Sequence, residues 1–583
     1  MKLRFSIGFP SILLIGVATL VLCWPIFQNE ALHHGDDVSF HVTWARGFIE
    51  TLRDGNPYPR WDATINRGLG GPVFVFYPPL GFYLVALVNT VTGNLMASFR
   101  LVLVLVSFLT GVSFFCFAKH HAPTFWATLG AVSYVLLPYH AIDLYDRFAF
   151  AEYLAFLWIP ILFIAIRRLA NEEAPKAWPL LVLSIAGLLL THHVTAFMAL
   201  FVAGPYGFAL LIRRKRWRPL LAITAGGFLG AACVAVYLFP AMAERKLVHL
   251  EWNVELETVR WEQHLLFHSP SGLDAKPTKI RPLVERAATR QIAVMMVSAA
   301  LLLGVSWRRR SRDETFEPWL FFGLAAWTVF LQTVPSSPLW RFLPAFKTIS
   351  FPWRFLLFHS FTISALIVCL GAAAAALDRQ PAKSGRPIGL EIATRPGVLA
   401  GLIVVVLLPC FAYTLALRSI RPFTFSESLS QMPLYQERMV QEYIPSTVAA
   451  WEPIAKLSPP SAHARVAPAG HAKVLEWLPE RRIIEVESPM VSTLTLWTFD
   501  YPGWRATVDG VPAEVGRSSS FATIALRIPE GRHRVELRFR STKDRLFGAF
   551  VSAVALLAFA AIIALGRKRT PSSSERKAVL RRK

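Results

Sequence analysis

Charge is the first thing this chain lacks. Of 583 residues only 17% are Asp, Glu, Lys or Arg, 54% are hydrophobic, and the mean hydropathy is +0.43. A soluble enzyme or a disordered chain carries more charge than that, so both classes are excluded. Cysteine is scarce as well: Cys23, Cys116, Cys233, Cys369 and Cys410 are the five, and no two form a CxxC pair. That spacing argues against a disulfide scaffold and against a thiolate metal site. Acidic residues number 38 against 61 basic ones, a net charge of +23. In a soluble protein such an excess would point to nucleic acid. Here the basic residues sit in short clusters just beyond apolar runs, which is the pattern of cytoplasmic loops in membrane proteins, and nucleic acid is not expected as a partner. No internal repeat of fixed period is present, which removes solenoids and gives no support to the paired halves of a transporter.

What the chain has in quantity is apolar runs of membrane-spanning length, ~20 residues each. Twelve spans are read, at about 6–27, 97–118, 124–139, 150–166, 178–191, 195–212, 219–240, 290–306, 318–334, 355–377, 397–417 and 546–565. The first has a basic start, but it is longer than a signal core and no small-x-small cleavage site follows, so it reads as a retained span. With the N-terminus inside, Lys119, Arg167–Arg168, Arg213–Arg218, Arg308–Arg312, Arg379–Arg395 and the tail from Arg567 to Lys583 all fall in the cytoplasm, as the charge rule wants. Residues 72–92 are apolar too. Counting them as a span would flip every later loop, and Pro78–Pro79 break them early. They are read as an interfacial helix on the outer surface.

The expected architecture is therefore mostly α: a polytopic membrane domain over 1–417, whose long first outer loop is 28–97 and includes the interfacial helix at 72–92. An outer-face domain follows over 418–545, then the last span at 546–565 and a basic cytoplasmic tail at 566–583. The outer domain contains TLTLWTFDYPGW, RATVDG, FATIALRI, PEG and RVELRFR. Val535, Leu537 and Phe539 alternate with charged residues, and Asp509-Gly510 and Glu530-Gly531 are hairpin-type turns, so antiparallel β structure is expected over about 491–540. The Pro-rich 453–468 reads as loop.

Polar residues gather at the outer ends of the spans, where ionisable groups are functional candidates because burying charge is costly. The first loop reads HHGDDVSFHVTWARGF, then NPYPRW; the loop after the third span reads PYHAIDLYDRFAFAEY; spans five and six meet at LLLTHHVTAF; and ISFPWRF precedes span ten. Asp37 and His41 are four apart and share a face if that segment is helical. A carboxylate beside an imidazole suits general-base work or a shared metal ion; the alternative is a solvated loop edge. His192 and His193 lie at a hairpin tip, where they are either ligands or plain loop residues. Glu152 is at the start of span four, where the helix dipole alone would favour a carboxylate. Arg354 beside Trp353, and Arg60 beside Trp61, pair guanidinium with indole. Such pairs either anchor the protein at the interface or clamp a lipid phosphate.

PRW…GLGGPVFVFYPPLGFYL, LPYHAIDLYDRFAFAEYLAF, LLLTHHVTAF and SFPWRF resemble bacterial membrane proteins labelled "6-pyruvoyl-tetrahydropterin synthase-related", although nothing here resembles the soluble pterin enzyme. The block YPGWRATVDGVPAEV…LRIPEGRHRVELRFR, followed by one last span, is similar to the tail of the YfhO-like family. Both resemble the GT-C class of membrane glycosyltransferases, and the quoted blocks run in order over nearly the whole chain. The resemblance implies transfer of a sugar from a polyprenyl-phosphate donor to an envelope glycan, lipid or polymer acceptor at the outer face of the bacterial cytoplasmic membrane. It implies that an acid in the first loop acts as base or orienting group: Asp37 first, Asp36 second, with His41 following it. Arg60, Arg147 and Arg354 are the candidates for holding phosphate, and Glu152, His192 and His193 for lining the acceptor or metal side. A divalent metal is left open. A lipid-linked sugar flippase and an inactive envelope scaffold are the rival readings.

Overall fold

The computed structural model describes residues 8–28, 37–171, 174–255, 260–268, 280–308, 312–377, 395–417, 439–458, 462–518 and 521–568. Asp36, most of the 379–395 cluster and the tail beyond 568 lie outside them. Among the described residues nine helices are long and apolar enough to cross a membrane: Phe9–Phe27, Leu95–Ala118, Thr124–Asp146, Phe150–Ala170, His193–Arg214, Arg281–Trp307, Pro352–Ala376, Pro396–Leu417 and Lys543–Leu565. A further run is bent, its halves Arg218–Cys233 and Ala235–Leu247 meeting at 79°. The runs at 178–191 and 318–334 fall on the shorter apolar helices Ala177–Thr191 and Thr315–Leu331. The chain is a mostly helical, multi-pass membrane protein.

Pro78 and Pro79 divide the apolar stretch at 72–92. A short buried helix, Val73–Phe76, ends before them, and the helix Leu80–Thr92 starts after. At 13 residues the second helix is about 20 Å long, well short of a ~30 Å hydrocarbon core. Gly81, Phe82, Val85, Ala86 and Asn89 form its buried stripe, while Leu87 and Val91 are exposed. Gly93, at φ +63°, ends it, and the Asn94 side chain accepts from the Ala97 N–H at 2.9 Å to start the next span. The helix Val38–Arg53 is amphipathic in the same way: Val38, His41, Val42, Ala45, Phe48 and Ile49 are buried at helical spacing, as one face against a core requires.

The segment PYHAIDLYD, expected as an outer loop, continues the third span helically to Asp146. Asp143 and His140 are almost wholly buried. The His140 ring lies 3.8 Å from that of Phe156, and an arginine neutralises Asp143, so the turn can sink into protein instead of facing water.

Among the described residues nine strands make two antiparallel sheets: β1 Ala464–Ala467, β2 His471–Leu478, β3 Arg481–Ser488, β4 Ser492–Phe499, β5 Trp504–Val508, β6 Val511–Ala513, β7 Gly516–Arg517, β8 Thr523–Ile528 and β9 Gly531–Phe539. One sheet runs β1-β4-β8-β7, the other β2-β3-β9-β5-β6. The β structure thus begins near 464 rather than 491, and β1 lies inside the stretch read as loop. Asp509-Gly510 is the hairpin turn expected, with Val508 paired to Val511. Glu530-Gly531 is not: β8 and β9 belong to different sheets, and the turn is the corner between them.

This sandwich is seated on the first outer loop. Glu480, in the β2–β3 turn, accepts from the backbone N–H groups of Arg60 (2.5 Å) and Trp61 (2.8 Å) and from the Asn56 amide. The Phe499 N–H donates to Leu69 O at 2.9 Å, and the Trp497 indole to Arg67 O at 2.9 Å. Tyr501 and Trp504 are buried against Trp61, with ring centroids 6.0 and 5.5 Å away. Tyr501 and Trp504 are therefore core and interface, while Trp497, half-buried, is tied to the first loop by its indole. Gly70 explains part of GLGG: at φ +80° its Cβ would sit 2.5 Å from the Trp61 indole nitrogen, so no larger residue fits there.

Candidate functional site

At the end of the bundle that carries the sandwich, a cavity of about 1050 Å³ opens between Val38–Arg53, the 138–147 turn, the 192–193 junction, the 344–354 segment and residues 439–443. Its charged wall is built from the third span upward. The Arg147 Nη1 lies 2.6 Å from Asp143 Oδ1 and 3.0 Å from Glu152 Oε2, and donates to the Tyr139 hydroxyl at 3.0 Å. Tyr139 in turn donates to Glu152 Oε1 at 2.7 Å. Glu152 Oε2 also pairs with Arg354 Nε at 3.0 Å, and Arg354 Nη1 donates to Ile349 O at 2.8 Å. One buried carboxylate thus tethers two guanidiniums that both line the cavity. Each arginine lies near a residue in the left-handed region, Phe148 (φ 51°) and Ser350 (φ 60°), the kind of backbone strain that persists where surrounding structure holds it.

Asp37 stands at the N-cap position of the helix Val38–Arg53 and lines the same cavity. Its backbone N–H donates to Arg147 O, and its carbonyl accepts from the His41 N–H, both at 3.1 Å, so the first loop is tied directly to the arginine segment. The helix places His41 on the cavity side among Trp44, Tyr77 and Phe150, at ring distances of 5.8, 5.7 and 5.8 Å. Burial lowers its pKa to about 3, so His41 stays neutral and is part of the wall. His192 Nδ1 is 2.7 Å from Thr195 Oγ1, and His193 Nδ1 is 3.1 Å from the Tyr237 hydroxyl. Both line the cavity, and His193 is the exposed one of the two. Trp353, buried, stacks on Phe351 at 4.7 Å and meets His264 edge-on at 4.7 Å.

Seven of the candidate residues, Asp37, His41, Arg147, His192, His193, Trp353 and Arg354, thus share one cavity, with Glu152 immediately behind. Arg60 stands apart. Its guanidinium lies 4.2 Å over the Tyr58 ring and reaches Val236 O at 3.4 Å, which makes it a joint between loop, kinked helix and sandwich. Asp36 lies outside the described residues.

Sequence reasoning missed Glu442, which lines the cavity from the segment after the Pro396–Leu417 span. Burial, with the Asp37 charge adding to it, raises its pKa to about 7. No apolar period or turn signal marks residues 439–443; the only hint is an acid placed where the chain returns to the membrane surface. Below about pH 7 native Glu442 keeps a proton that the unfolded chain gives up near pH 4.5, so its share of stability falls as pH rises between these values. His41 acts in the opposite sense. Its folded pKa is lowered to about 3 from 6.5, so stability falls as pH drops below 6.5. The difference between wild type and Glu442→Gln isolates the first effect: thermal unfolding in detergent should show the variant gaining stability relative to wild type from pH 4.5 to 7.

Among the described residues, the one set of His, Cys and acidic ligand atoms already close enough to share an ion is His121, Glu317 and Cys369. It sits at the far end of the Leu95–Ala118 span, about 36 Å along the helix, and Arg167 already pairs with Glu317.

A family model described as a family of unknown function, DUF6541, matches residues 6–346. An uncharacterised protein of Lactococcus lactis subsp. cremoris (strain MG1363) is 25% identical over 248 residues, 41% of this chain and 40% of that protein. The match therefore spans less than half of that relative's length. Among solved structures, the apo oligosaccharyltransferase of Archaeoglobus fulgidus aligns at 12% identity and TM-score 0.40, over 72% of this chain and 57% of that one. ArnT from Cupriavidus metallidurans bound to undecaprenyl phosphate aligns at 12% identity and TM-score 0.28, over 65% and 81%.

Proposed function

The chain belongs to the DUF6541 family, whose description names no activity, and from the cavity we propose that it is a membrane glycosyltransferase. The observation that carries this reading is the pair Arg147 and Arg354, held side by side by Glu152 in a cavity whose rim bears Asp37. A sugar carried on a lipid phosphate needs cations for the phosphate it leaves behind and a base for the attacking hydroxyl. In this reading the two guanidiniums bind the phosphate of a polyprenyl-phosphate sugar. Asp37 takes the proton of the acceptor hydroxyl as its oxygen bonds to the anomeric carbon, and the carbon–phosphate oxygen bond breaks with its electron pair leaving on the phosphate. The acceptor is an envelope glycan, lipid or polymer. The narrower kinship with YfhO-like and pterin-labelled membrane proteins rests on the quoted motifs and supports the same chemistry.

The cavity faces outward in this reading, with both termini cytoplasmic. Arg167–Arg168 and Arg213–Arg214 end their helices at the side away from the cavity, and the positive-inside rule puts that side in the cytoplasm. The test is transfer from radiolabelled polyprenyl-phosphate sugars to envelope fractions, in membranes matched for expression. Asp37→Asn should lower transfer ~10²–10⁴-fold. Transfer that survives the substitution moves the base elsewhere, with Asp36 the next candidate, and a wild type inactive with every donor favours the flippase or scaffold.

A further inference from the structure

The bent helix pair has a consequence for one histidine. The break at Val234 turns the chain by 79° and swings Tyr237 under the 192–193 junction, where it is almost wholly buried. The Tyr237 hydroxyl donates to Phe76 O at 2.7 Å. That carbonyl lacks a local donor because Tyr77 leaves the helix (ψ 132°) and the next two residues, Pro78 and Pro79, have no N–H. A phenol has one hydrogen. With it committed to Phe76, the tyrosine oxygen can only accept from His193 Nδ1, 3.1 Å away. His193 Nδ1 therefore carries the proton, and its Nε2 is a bare acceptor. His193 is exposed and lines the cavity.

We propose that Tyr237 locks His193 in the Nδ1–H tautomer so that Nε2 accepts a hydrogen bond from a hydroxyl of the donor sugar; the substrate part of this proposal rests on the glycosyltransferase reading above. The donor is singled out by position: His193 lines the same cavity as Arg354, one of the two cations assigned to the lipid phosphate, so a sugar linked to that phosphate shares the space that His193 borders. A bare imidazole nitrogen demands an O–H or N–H partner and gives nothing to an acceptor-only group. His193 is thus a sugar-binding residue, and Tyr237 acts through it as a positioning residue. YPP, THH and the helix break meet at one hydrogen-bond chain, Phe76 O to Tyr237 to His193.

Nuclear magnetic resonance of the full chain, labelled with ¹⁵N-histidine in lipid nanodiscs, reads the tautomer without any activity. The His193 signals are those lost in His193→Asn. The expected result is Nδ1 protonated and Nε2 bare in wild type, with Tyr237→Phe losing that pattern. In the transfer assay His193→Asn should raise KM for the lipid-linked donor about tenfold with acceptor KM unchanged, the worth of one hydrogen bond to a substrate hydroxyl. An Nε2–H tautomer in wild type, or a pattern indifferent to Tyr237→Phe, overturns the lock. An Nδ1–H tautomer with unchanged donor KM overturns the sugar contact. A wild type that transfers no sugar from any donor overturns the glycosyltransferase reading and the sugar contact with it, while the resonance result still decides the lock.

Discussion

Glu152→Gln should lower the proposed sugar transfer about a hundredfold, a loss of the size seen when one preorganised electrostatic contact is removed from an active site. Glu152 Oε2 is the shared counter-charge of Arg147 and Arg354, 3.0 Å from each. Glutamine keeps an oxygen for Tyr139 but no charge. Arg147 then retains Asp143 at 2.6 Å, whereas Arg354 retains only the Ile349 carbonyl. With no carboxylate left between them the two guanidiniums repel, and the geometry proposed for phosphate binding spreads. Removing one partner from a buried ion pair also costs about 3–5 kcal/mol of stability, so transfer must be scaled to folded protein, with thermal unfolding in detergent measured alongside. A stability loss with full transfer per folded molecule would make Glu152 purely structural and would remove the arginine pair from the phosphate.

Glu244→Ala should cost about 3–5 kcal/mol of stability and loosen the sandwich from the bundle. Glu244 and Arg545 are both buried almost completely and pair through two bonds of 2.7 Å, Nε to Oε1 and Nη2 to Oε2. Tyr501 donates to Oε2 at 2.9 Å, Thr542 to Oε1 at 3.2 Å, and Arg545 reaches Pro502 O at 3.1 Å. Kinked helix, sandwich and last span therefore close on one ion pair. Alanine leaves the guanidinium buried without its counter-charge. Gly503 belongs to the same joint: at φ +128° its Cβ would lie 2.8 Å from Arg545 Nη1. Hydrogen exchange over 500–508 and 535–545 should rise in Glu244→Ala, and the apolar double variant Glu244→Leu/Arg545→Met should recover much of the loss. A single variant with unchanged melting and exchange would show that the ion pair does not hold the domain.

The spans were readable because their signal is local: each is an apolar run closed by charge, prolines or polar turns, and the hydropathy of a stretch of ~20 residues suffices to see it. Asp37 with His41 was readable for the same reason, as a helical spacing beside an apolar face. Strands β1 to β3 were not. The exposed and half-buried alternation of HAKVLEWL is a weak pattern for a sheet face, and only its pairing with β3, which pairs in turn with β9, makes the run a strand. The Glu530-Gly531 turn looked like a hairpin because turn chemistry reports a reversal of direction and says nothing about which sheet the next strand joins.

Arg60 and Arg354 carry the same local signature, a guanidinium beside an indole at an outer end. Their different fates were decided elsewhere: Glu152 draws one into the cavity, while Tyr58, Glu480 and the kinked helix enclose the other. Glu442 illustrates the same limit, since it reaches Asp37 from a segment some 400 residues further along the chain. The sequence by itself determined the solvent this protein lives in, the places of its apolar runs and the short list of polar groups at their ends, because transfer of apolar surface out of water depends on composition over one turn after another. Which of those polar groups face one another was left to the tertiary structure. Ion pairs, a shared carboxylate and a tautomer depend on distances of about 3 Å between residues distant in the chain, and only the packed helices and the sandwich on top of them set those distances.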